Sequence, residues 1–176
     1  MWQNYRIKLM KTIQKILLAA VMLLALPLGM SAQKGGQWFI VGDFCDGMAY
    51  VKHQRTELYG YVNQSRKLVI PCKWSRAGDF HEGLAYVQDR NGKWGHISKS
   101  GKVVNPCKWA EAGSFFGGLA SVKDPKSLLY GFIDKTGKLV IPCKWAYVGD
   151  FRNGPANAKE PGGDWVTIDK TGKIVE

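Results

Sequence analysis

Histidine is scarce in this chain, and none of its three copies stands in a catalytic pattern. His53, His81 and His96 fall in different parts of the predicted structure, in a loop, a turn and a strand. A general base needs a partner within hydrogen-bond reach, and the spacing of these residues supplies none. We therefore favour surface or structural roles for the histidines and predict no catalytic residue.

Metal-binding motifs are missing as well. The four cysteines include no Cys-x-x-Cys pair and no closely spaced Cys/His pair, which are the usual marks of a structural zinc site. No carboxylate pair stands out as the pair of a glycosidase would, and no nucleic-acid-binding motif is present. The sequence thus predicts no metal, no cofactor and no nucleic-acid partner, and it argues against an enzyme.

Acidic residues are absent from the first 32 positions. Four basic residues there precede an unbroken apolar run of 13 residues, Ile16–Leu28, and the segment ends in the small residues Ser31 and Ala32. This pattern predicts a signal peptide over residues 1–32, cut before Gln33. An uncleaved amino-terminal anchor is the alternative.

The apolar run is shorter than the roughly 20 residues that a membrane-spanning helix needs, and no cysteine follows it to accept a lipid. We expect an exported protein, periplasmic, extracellular or on the cell surface, with no membrane span after cleavage. Cleavage would remove four basic residues and no acidic one, leaving 21 against 14, so the net charge would fall from +11 to +7.

A unit of about 35 residues recurs four times after this segment. The pattern Trp-x-x-x-Gly-(Asp/Ser)-Phe begins at Trp38, Trp74, Trp109 and Trp145. A column of alanine keeps the same register, at Ala49, Ala85, Ala120 and Ala156. Such self-similarity predicts a repeat array. We expect a lead-in at 33–37 and a repeat domain at 38–176, with units 38–73, 74–108, 109–144 and 145–176.

Each unit has the pattern of three short strands, as the second copy illustrates. Leu84–Val87 alternates at the strand period of two, and Trp94–Ile97 is an aromatic-Gly strand. A turn containing Gly101 leads to Val103–Asn105, which Pro106 is expected to end because proline lacks an amide hydrogen. In copy one, Arg66 stands in a turn without glycine, which predicts a looser hairpin.

A three-stranded meander of this size cannot bury its apolar face alone, so neighbouring units must complete one another's cores. The predicted fold class is therefore all-β, a tandem array of four three-stranded β-meander repeats in an open, superhelical, solenoid-like stack. A small closed propeller is the alternative.

These residues resemble the bacterial WG repeat family. Copy two carries Phe80-x-Glu-Gly-Leu-Ala-x-Val and then Lys93-Trp-Gly-x-Ile, and the resemblance extends from Trp38 to Glu176. Only this copy keeps a literal Trp-Gly, since copy four has Val166 in place of the glycine. The resemblance implies exported repeat proteins that mediate interactions, with no catalytic residues to carry over.

Three of the cysteines occupy one repeat position, in Pro-Cys-Lys-Trp. Equivalent positions in stacked sheets lie about 10 Å apart, whereas a disulfide needs Cα atoms within roughly 7 Å. Reduced, buried cysteines are favoured over one bridge from Cys45 and over a thiolate metal site. The three are Cys72, Cys107 and Cys143.

Two further columns have alternative interpretations. The four crossover tryptophans either seal the joints between units or form an exposed platform for sugar rings, and the joint is favoured. Lysines recur at the hairpin turns and after the cysteines, where solvated edge residues are favoured over a stripe that binds anionic polymers. Short acids such as Asp79, Asp134 and Asp169 are expected to brace turns.

The loop between the first two strands of each unit varies most in length and chemistry. Variable loops of repeat arrays map to one face, which is often the binding face. We predict a non-catalytic protein-interaction or scaffold module at the cell envelope, with a protein or an envelope glycan as partner. Carbohydrate or peptidoglycan binding through the aromatic and basic columns is the alternative. Candidate ligand-binding residues are Arg55, Arg90, Asn91 and Lys126.

Overall fold

The computed structural model describes residues 37–175, where all regular structure is β. Fifteen strands in this range form four antiparallel sheets that follow one another in chain order. The predicted signal peptide at 1–32 lies outside the described residues. Among those described, no helix is long and apolar enough to cross a membrane.

Every sheet is a meander of strands adjacent in sequence. The first contains β1 (Trp38–Ile40), β2 (Met48–His53), β3 (Tyr59–Asn63) and β4 (Leu68–Trp74). The second contains β5 (Arg76–His81), β6 (Leu84–Gln88), β7 (Trp94–Ser98) and β8 (Val103–Trp109). The third contains β9 (Glu111–Phe116), β10 (Leu119–Lys123), β11 (Tyr130–Asp134) and β12 (Leu139–Trp145). The fourth contains β13 (Tyr147–Val148), β14 (Ala156–Lys159) and β15 (Trp165–Ile168).

The three strands predicted for a repeat are confirmed in the first three sheets, and a fourth strand precedes them. In the second sheet, Glu82 and Gly83 have φ of 52° and 86°. Two successive positive φ values form the type I′ turn, whose twist suits a tight hairpin. The segment before the turn therefore folds back and pairs as β5. Asp79 lies within β5, so its predicted role in a turn is wrong.

The predicted hairpin turns are confirmed. Gly101 has a φ of 80°, and Asp134 Oδ1 accepts hydrogen bonds from the amides of Thr136 and Lys138 at 2.9 and 3.0 Å. Asp169 braces its own turn in the same way. In copy one, Arg66 itself adopts a φ of 57° and its amide bonds Asn63 O at 2.8 Å. That turn is closed without glycine, so the looser hairpin predicted for it is wrong.

The prediction that proline ends the third strand is also wrong. In the first sheet, β4 continues through Pro71 to Trp74. Pro71 is exposed on the outermost strand, and the pairing of β3 with β4 shifts register there, from Tyr61 opposite Ile70 to Tyr59 opposite Trp74. The irregularity accommodates a residue that has no amide hydrogen to donate.

This irregular pairing also explains the glycine of the aromatic-Gly pairs. A Cβ added at Gly95 would lie 2.5 Å from Asn105 O and 2.8 Å from Cys107 N. Both are backbone atoms of β8, so neither moves aside as a flexible side chain would. In copy four, β15 forms only an isolated bridge with the residues that follow it, among those described. Val166 fits in the glycine position there because no full strand crosses it.

We expect Gly95→Ala to lower the free energy of unfolding by about 1–3 kcal/mol, the usual cost of overpacking. Urea denaturation of the two proteins measures this difference. Gly149→Ala is the matched control, because its added Cβ would meet its nearest neighbour at 3.6 Å, an ordinary contact. Equal destabilisation by both changes would show that close backbone approach is not the reason for glycine at position 95.

The hydrophobic core lies between consecutive sheets. In the cluster between the first two sheets, Tyr61 and Ile70 pack with Phe80, Ala85 and Ile97. The next two interfaces repeat this arrangement. At each interface, an aromatic ring of one sheet meets a phenylalanine of the next at 4.8 Å, in the pairs Tyr61–Phe80, His96–Phe115 and Phe132–Phe151. The four columnar alanines are all buried, at most 1% exposed, which confirms their equivalence.

The crossover tryptophans seal these joints, as favoured from the sequence. Trp74, Trp109 and Trp145 are 7%, 8% and 0% exposed. The lysine before each covers its indole, with Nζ at 5.0, 4.9 and 4.6 Å from the ring centroid. Trp38, in the first sheet, is partly buried.

The stack is open. Each core cluster of the described residues lies within one sheet or joins two consecutive sheets, and none joins the fourth sheet to the first. The sheets themselves are not closed into a barrel.

Candidate functional site

Partly buried or exposed aromatic side chains recur from sheet to sheet, and four of them pack against the core clusters. Tyr50 and Tyr59 pair at 6.1 Å between centroids in the first sheet, and Tyr86 and Trp94 pair at 5.6 Å in the second. Tyr130 and Trp165 occupy the position of Trp94 in later copies. We call the following rings the aromatic face: Tyr50, Tyr59, Tyr86, Trp94, Tyr130, Tyr147 and Trp165.

Two hollows lie on the aromatic face and share a wall made by Tyr86 and Trp94. The first, of about 540 Å³, extends from this wall to Tyr50 and Tyr59 and includes Arg76. The second, of about 570 Å³, extends from the wall in the other direction, towards the third and fourth sheets. Both are shallow and open to solvent, which suits an extended ligand better than a small molecule that must be enclosed.

Two tyrosine rings of the aromatic face lie directly over glycines, where a side chain would leave no room for them. A Cβ at Gly42 would lie 2.0 Å from the Tyr50 ring, and a Cβ at Gly78 would lie 2.0 Å from the Tyr86 ring. In the third sheet, Ser121 replaces this tyrosine, and only its small side chain lies over Gly113. The second hollow occupies the space that a third tyrosine ring would fill.

Polar groups converge on the second hollow. Ser114, Ser121, Glu111 and Asp150 supply hydroxyl and carboxylate groups, beside the Phe116 ring. Phe116 is in turn covered by Arg152, in the connection between β13 and β14, whose guanidinium carbon is 4.0 Å from the ring centroid.

Glu111 is held as a carboxylate. It accepts a hydrogen bond from the Tyr130 hydroxyl and lies 2.9 Å from Lys123 Nζ. These two contacts lower the pKa of Glu111, despite the opposing effect of its partial burial. Lys123 also stands 5.0 Å above the Tyr130 ring. Lys52, Glu57 and Tyr59 form a similar group beside the first hollow.

The four residues proposed from the variable loops are all exposed, in loops that join the first two predicted strands of their repeats. Arg55 lies between β2 and β3, Arg90 and Asn91 between β6 and β7, and Lys126 between β10 and β11. None of them lines either hollow. Their role in ligand contact stays a prediction.

The repeat-column cysteines match the favoured interpretation. All four cysteines are free, and each is partly buried. Burial raises the pKa of Cys72, Cys107 and Cys143 above the ordinary thiol value. They are therefore protonated at neutral pH and pack as small apolar groups.

The alternative considered from the sequence, an exposed platform made by the crossover tryptophans, is wrong for Trp74, Trp109 and Trp145. The crossover tryptophans are buried, whereas the first residue of each aromatic-Gly pair contributes to the aromatic face. Tyr50 lies opposite Tyr61 on the neighbouring strand, and Tyr61 is fully buried. Strand alternation alone therefore does not show which aromatic rings stay partly exposed.

A known family profile matches the repeats of this chain. The sequence profile of a family described as WG containing repeat matches residues 59–94, 94–124 and 130–160. No curated protein matches the chain. Among solved structures, the WD40 β-propeller domain of Doa1 is similar at 11% sequence identity with a TM-score of 0.42. That similarity covers 78% of this chain and 52% of the other, so the chain spans about half the length of that structure.

Proposed function

The chain belongs to the WG-containing repeat family, and we propose that it is a non-catalytic binding module whose aromatic face holds a protein partner at the cell envelope. The envelope location rests on the signal peptide inferred for residues 1–32. Within the repeat domain, the aromatic face is the single observation that carries the proposal.

The composition of the face supports a protein partner. Tyrosine, tryptophan and arginine are enriched at protein interfaces and dominate their binding energy. Here Tyr50, Tyr86 and Trp94 line the first hollow together with Arg76. Trp165, further along the face, is 58% exposed. Because the rings recur from sheet to sheet, a partner lying along the stack meets several of them in succession.

The electrostatics of the face support binding without catalysis. A glycosidase needs one carboxyl group whose pKa is raised so that it donates a proton. Glu111, in the second hollow, has its pKa lowered by Tyr130 and Lys123. Its carboxylate is thus suited to accepting hydrogen bonds from a ligand rather than to acid catalysis.

An envelope glycan is the second candidate, and the second hollow favours it. Sugar rings present apolar C–H faces that stack on aromatic rings, and hydroxyls that bond carboxylates. Trp94 and Phe116 supply rings there, while Glu111, Asp150 and Ser121 supply polar partners. Ser121, which replaces the tyrosine found in the first two copies, leaves room for such a ligand over Gly113.

Site-specific photocrosslinking in native envelopes tests the proposed function. We expect a photoreactive phenylalanine analogue at Trp165 to yield one discrete protein adduct, and we expect Trp94→Ala to reduce that adduct by about tenfold or more, as for a binding hot spot. Leu139 is the control position for the analogue, because it is 43% exposed on a strand and is not part of the aromatic face.

The outcomes separate the two candidates. Equal adducts from positions 165 and 139, or none from 165, would contradict a protein partner on the aromatic face. Sedimentation with purified peptidoglycan is the second arm. Retention that Trp94→Ala abolishes, together with no protein adduct, would favour the glycan.

A further inference from the structure

Three side chains with metal-ligating atoms converge at the junction of the first two sheets, on residues that the proposed binding role does not use. They are Cys45, Asp79 and His81, and one ligand atom from each lies within 4.8 Å of the other two. All three residues are half-buried. Cys45 and His81 occupy the same repeat position in successive copies. Asp79 is two residues before His81 on β5, so the two side chains project from the same side of the strand.

The backbone holds these residues in place. Cys45 exchanges two hydrogen bonds with Met48 across a tight turn, at 2.9 and 3.0 Å. His81 is the last residue of β5, before the equivalent turn of the second sheet. Asp46 Oδ2 accepts a hydrogen bond from the Gly83 amide at 2.7 Å, which ties the two turns together. Ligands on turns braced in this way approach the preorganisation that a metal site needs.

The ligand set occurs at only one of the three junctions between described sheets. The hydrogen bond between successive turns recurs at the next junction, where the Glu82 carboxylate accepts a hydrogen bond from the Gly118 amide at 3.1 Å. However, Ser114 and Phe116 stand there in the positions of Asp79 and His81. The junction geometry is therefore general, whereas the cluster of thiol, carboxylate and imidazole is specific to the first junction.

Asp79 provides an independent sign of a missing partner. Its Oδ1 atom is buried and has no hydrogen-bond partner among the described residues. A buried, unpaired carboxylate oxygen is costly, and such groups are normally hydrogen-bonded or coordinate a metal. The His81 ring contacts Phe116 in a tilted arrangement, with the ring centroids 4.8 Å apart.

The donor atoms select the kind of metal. Thiolate and imidazole ligands suit zinc, whereas magnesium and calcium prefer oxygen ligands alone. Zinc bonds of about 2.0–2.3 Å place tetrahedral ligand atoms roughly 3.5 Å apart. Zinc binding would require side-chain rotations that close the present separations of up to 4.8 Å to that value. Three protein ligands leave the fourth position for water or for a group from a partner.

We propose that Cys45, Asp79 and His81 form a zinc site that links the first and second sheets. The bound ion would neutralise the unpaired Asp79 oxygen and join two repeats through side chains, in addition to the core between them.

Zinc titration of the reduced, chelator-treated full chain tests the site. We expect calorimetry to give one Zn²⁺ per chain, and Co²⁺ used as a probe to show a thiolate-to-metal absorption band. Cys45→Ser and His81→Phe should each weaken Zn²⁺ binding by more than about 100-fold, the upper end of the loss caused by removing an outer-shell partner. Phenylalanine is structurally suitable at position 81 because Phe116 holds the equivalent position in the next copy.

Cys107→Ser is the matched control, because Cys107 is also a free, half-buried thiol but lies in the crossover strand β8. It should leave the stoichiometry and the Co²⁺ band unchanged. The site would be refuted if the unaltered chain bound Zn²⁺ no better than the folded His81→Phe variant. It would equally be refuted if Cys107→Ser removed the band.

Discussion

Phe115→Ala is expected to lower the free energy of unfolding by about 3–5 kcal/mol, the usual cost of removing a buried phenylalanine. Phe115 is fully buried and meets the His96 ring edge-on at 4.8 Å, across the junction of the second and third sheets. The truncation therefore leaves a cavity in a core that both sheets share. Urea denaturation followed by circular dichroism measures the change.

Phe44→Ala is the matched control, since Phe44 holds the same repeat position in the first sheet. It is 41% exposed, so its loss should cost less than about 1 kcal/mol. Equal losses of unfolding free energy would mean that the contribution of this phenylalanine to stability does not depend on packing against a preceding sheet.

Acidification should destabilise the stack through His96. This residue is fully buried, its Nε2 hydrogen bonds Gly113 O at 2.9 Å, and its Nδ1 has no partner among the described residues. Burial lowers the pKa of His96 from 6.5 to about 4, although the bond to Gly113 opposes the shift. The unfolded chain therefore takes up a proton at a higher pH than the folded protein does.

The direction of the effect follows from that difference. As the pH falls below 6.5, the unfolded state gains a proton that the folded state does not, so stability decreases until about pH 4. The shift corresponds to a loss of about 3 kcal/mol at most. Measuring the free energy of unfolding between pH 7 and pH 4 tests this expectation.

His96→Tyr is the control that separates His96 from the carboxylates. Tyr61 holds the equivalent position in the first sheet, and its hydroxyl donates to Gly78 O at 2.8 Å. Tyrosine at position 96 thus keeps the bond to Gly113 while removing the group that titrates in this range. An unchanged pH dependence in this variant would show that His96 is not the cause.

The repeat spacing was sufficient to predict most of the fold. Residues two positions apart, such as Ala85 and Val87, must lie on the same side of their strand. Because this apolar side recurs in all four copies, each copy needs a neighbouring sheet to cover it. The fourth strand escaped prediction because β5 depends on the paired positive φ values of Glu82 and Gly83, and glutamate rarely adopts that conformation. Pro71 was wrongly predicted to end its strand. The strand continues because Pro71 lies on an outermost strand with irregular pairing, which the sequence does not reveal.

The candidate sites were harder to predict because they depend on contacts between copies. Cys45 and His81 are 36 residues apart and meet only because successive turns stack. The exposure of tryptophan was equally hard to predict. Trp94 lies on the aromatic face, whereas Trp109, its cross-strand neighbour, is buried. Residue type alone does not distinguish the two positions.

Hydrogen exchange in the Phe115→Ala variant tests the shared core most directly. If consecutive sheets complete one another, amides of β7 in the second sheet and β11 in the third should lose protection together, by similar free energies. Faster exchange in β11 alone, with β7 unchanged, would mean that each sheet is stable by itself, and stacking would then not be what holds the repeats together.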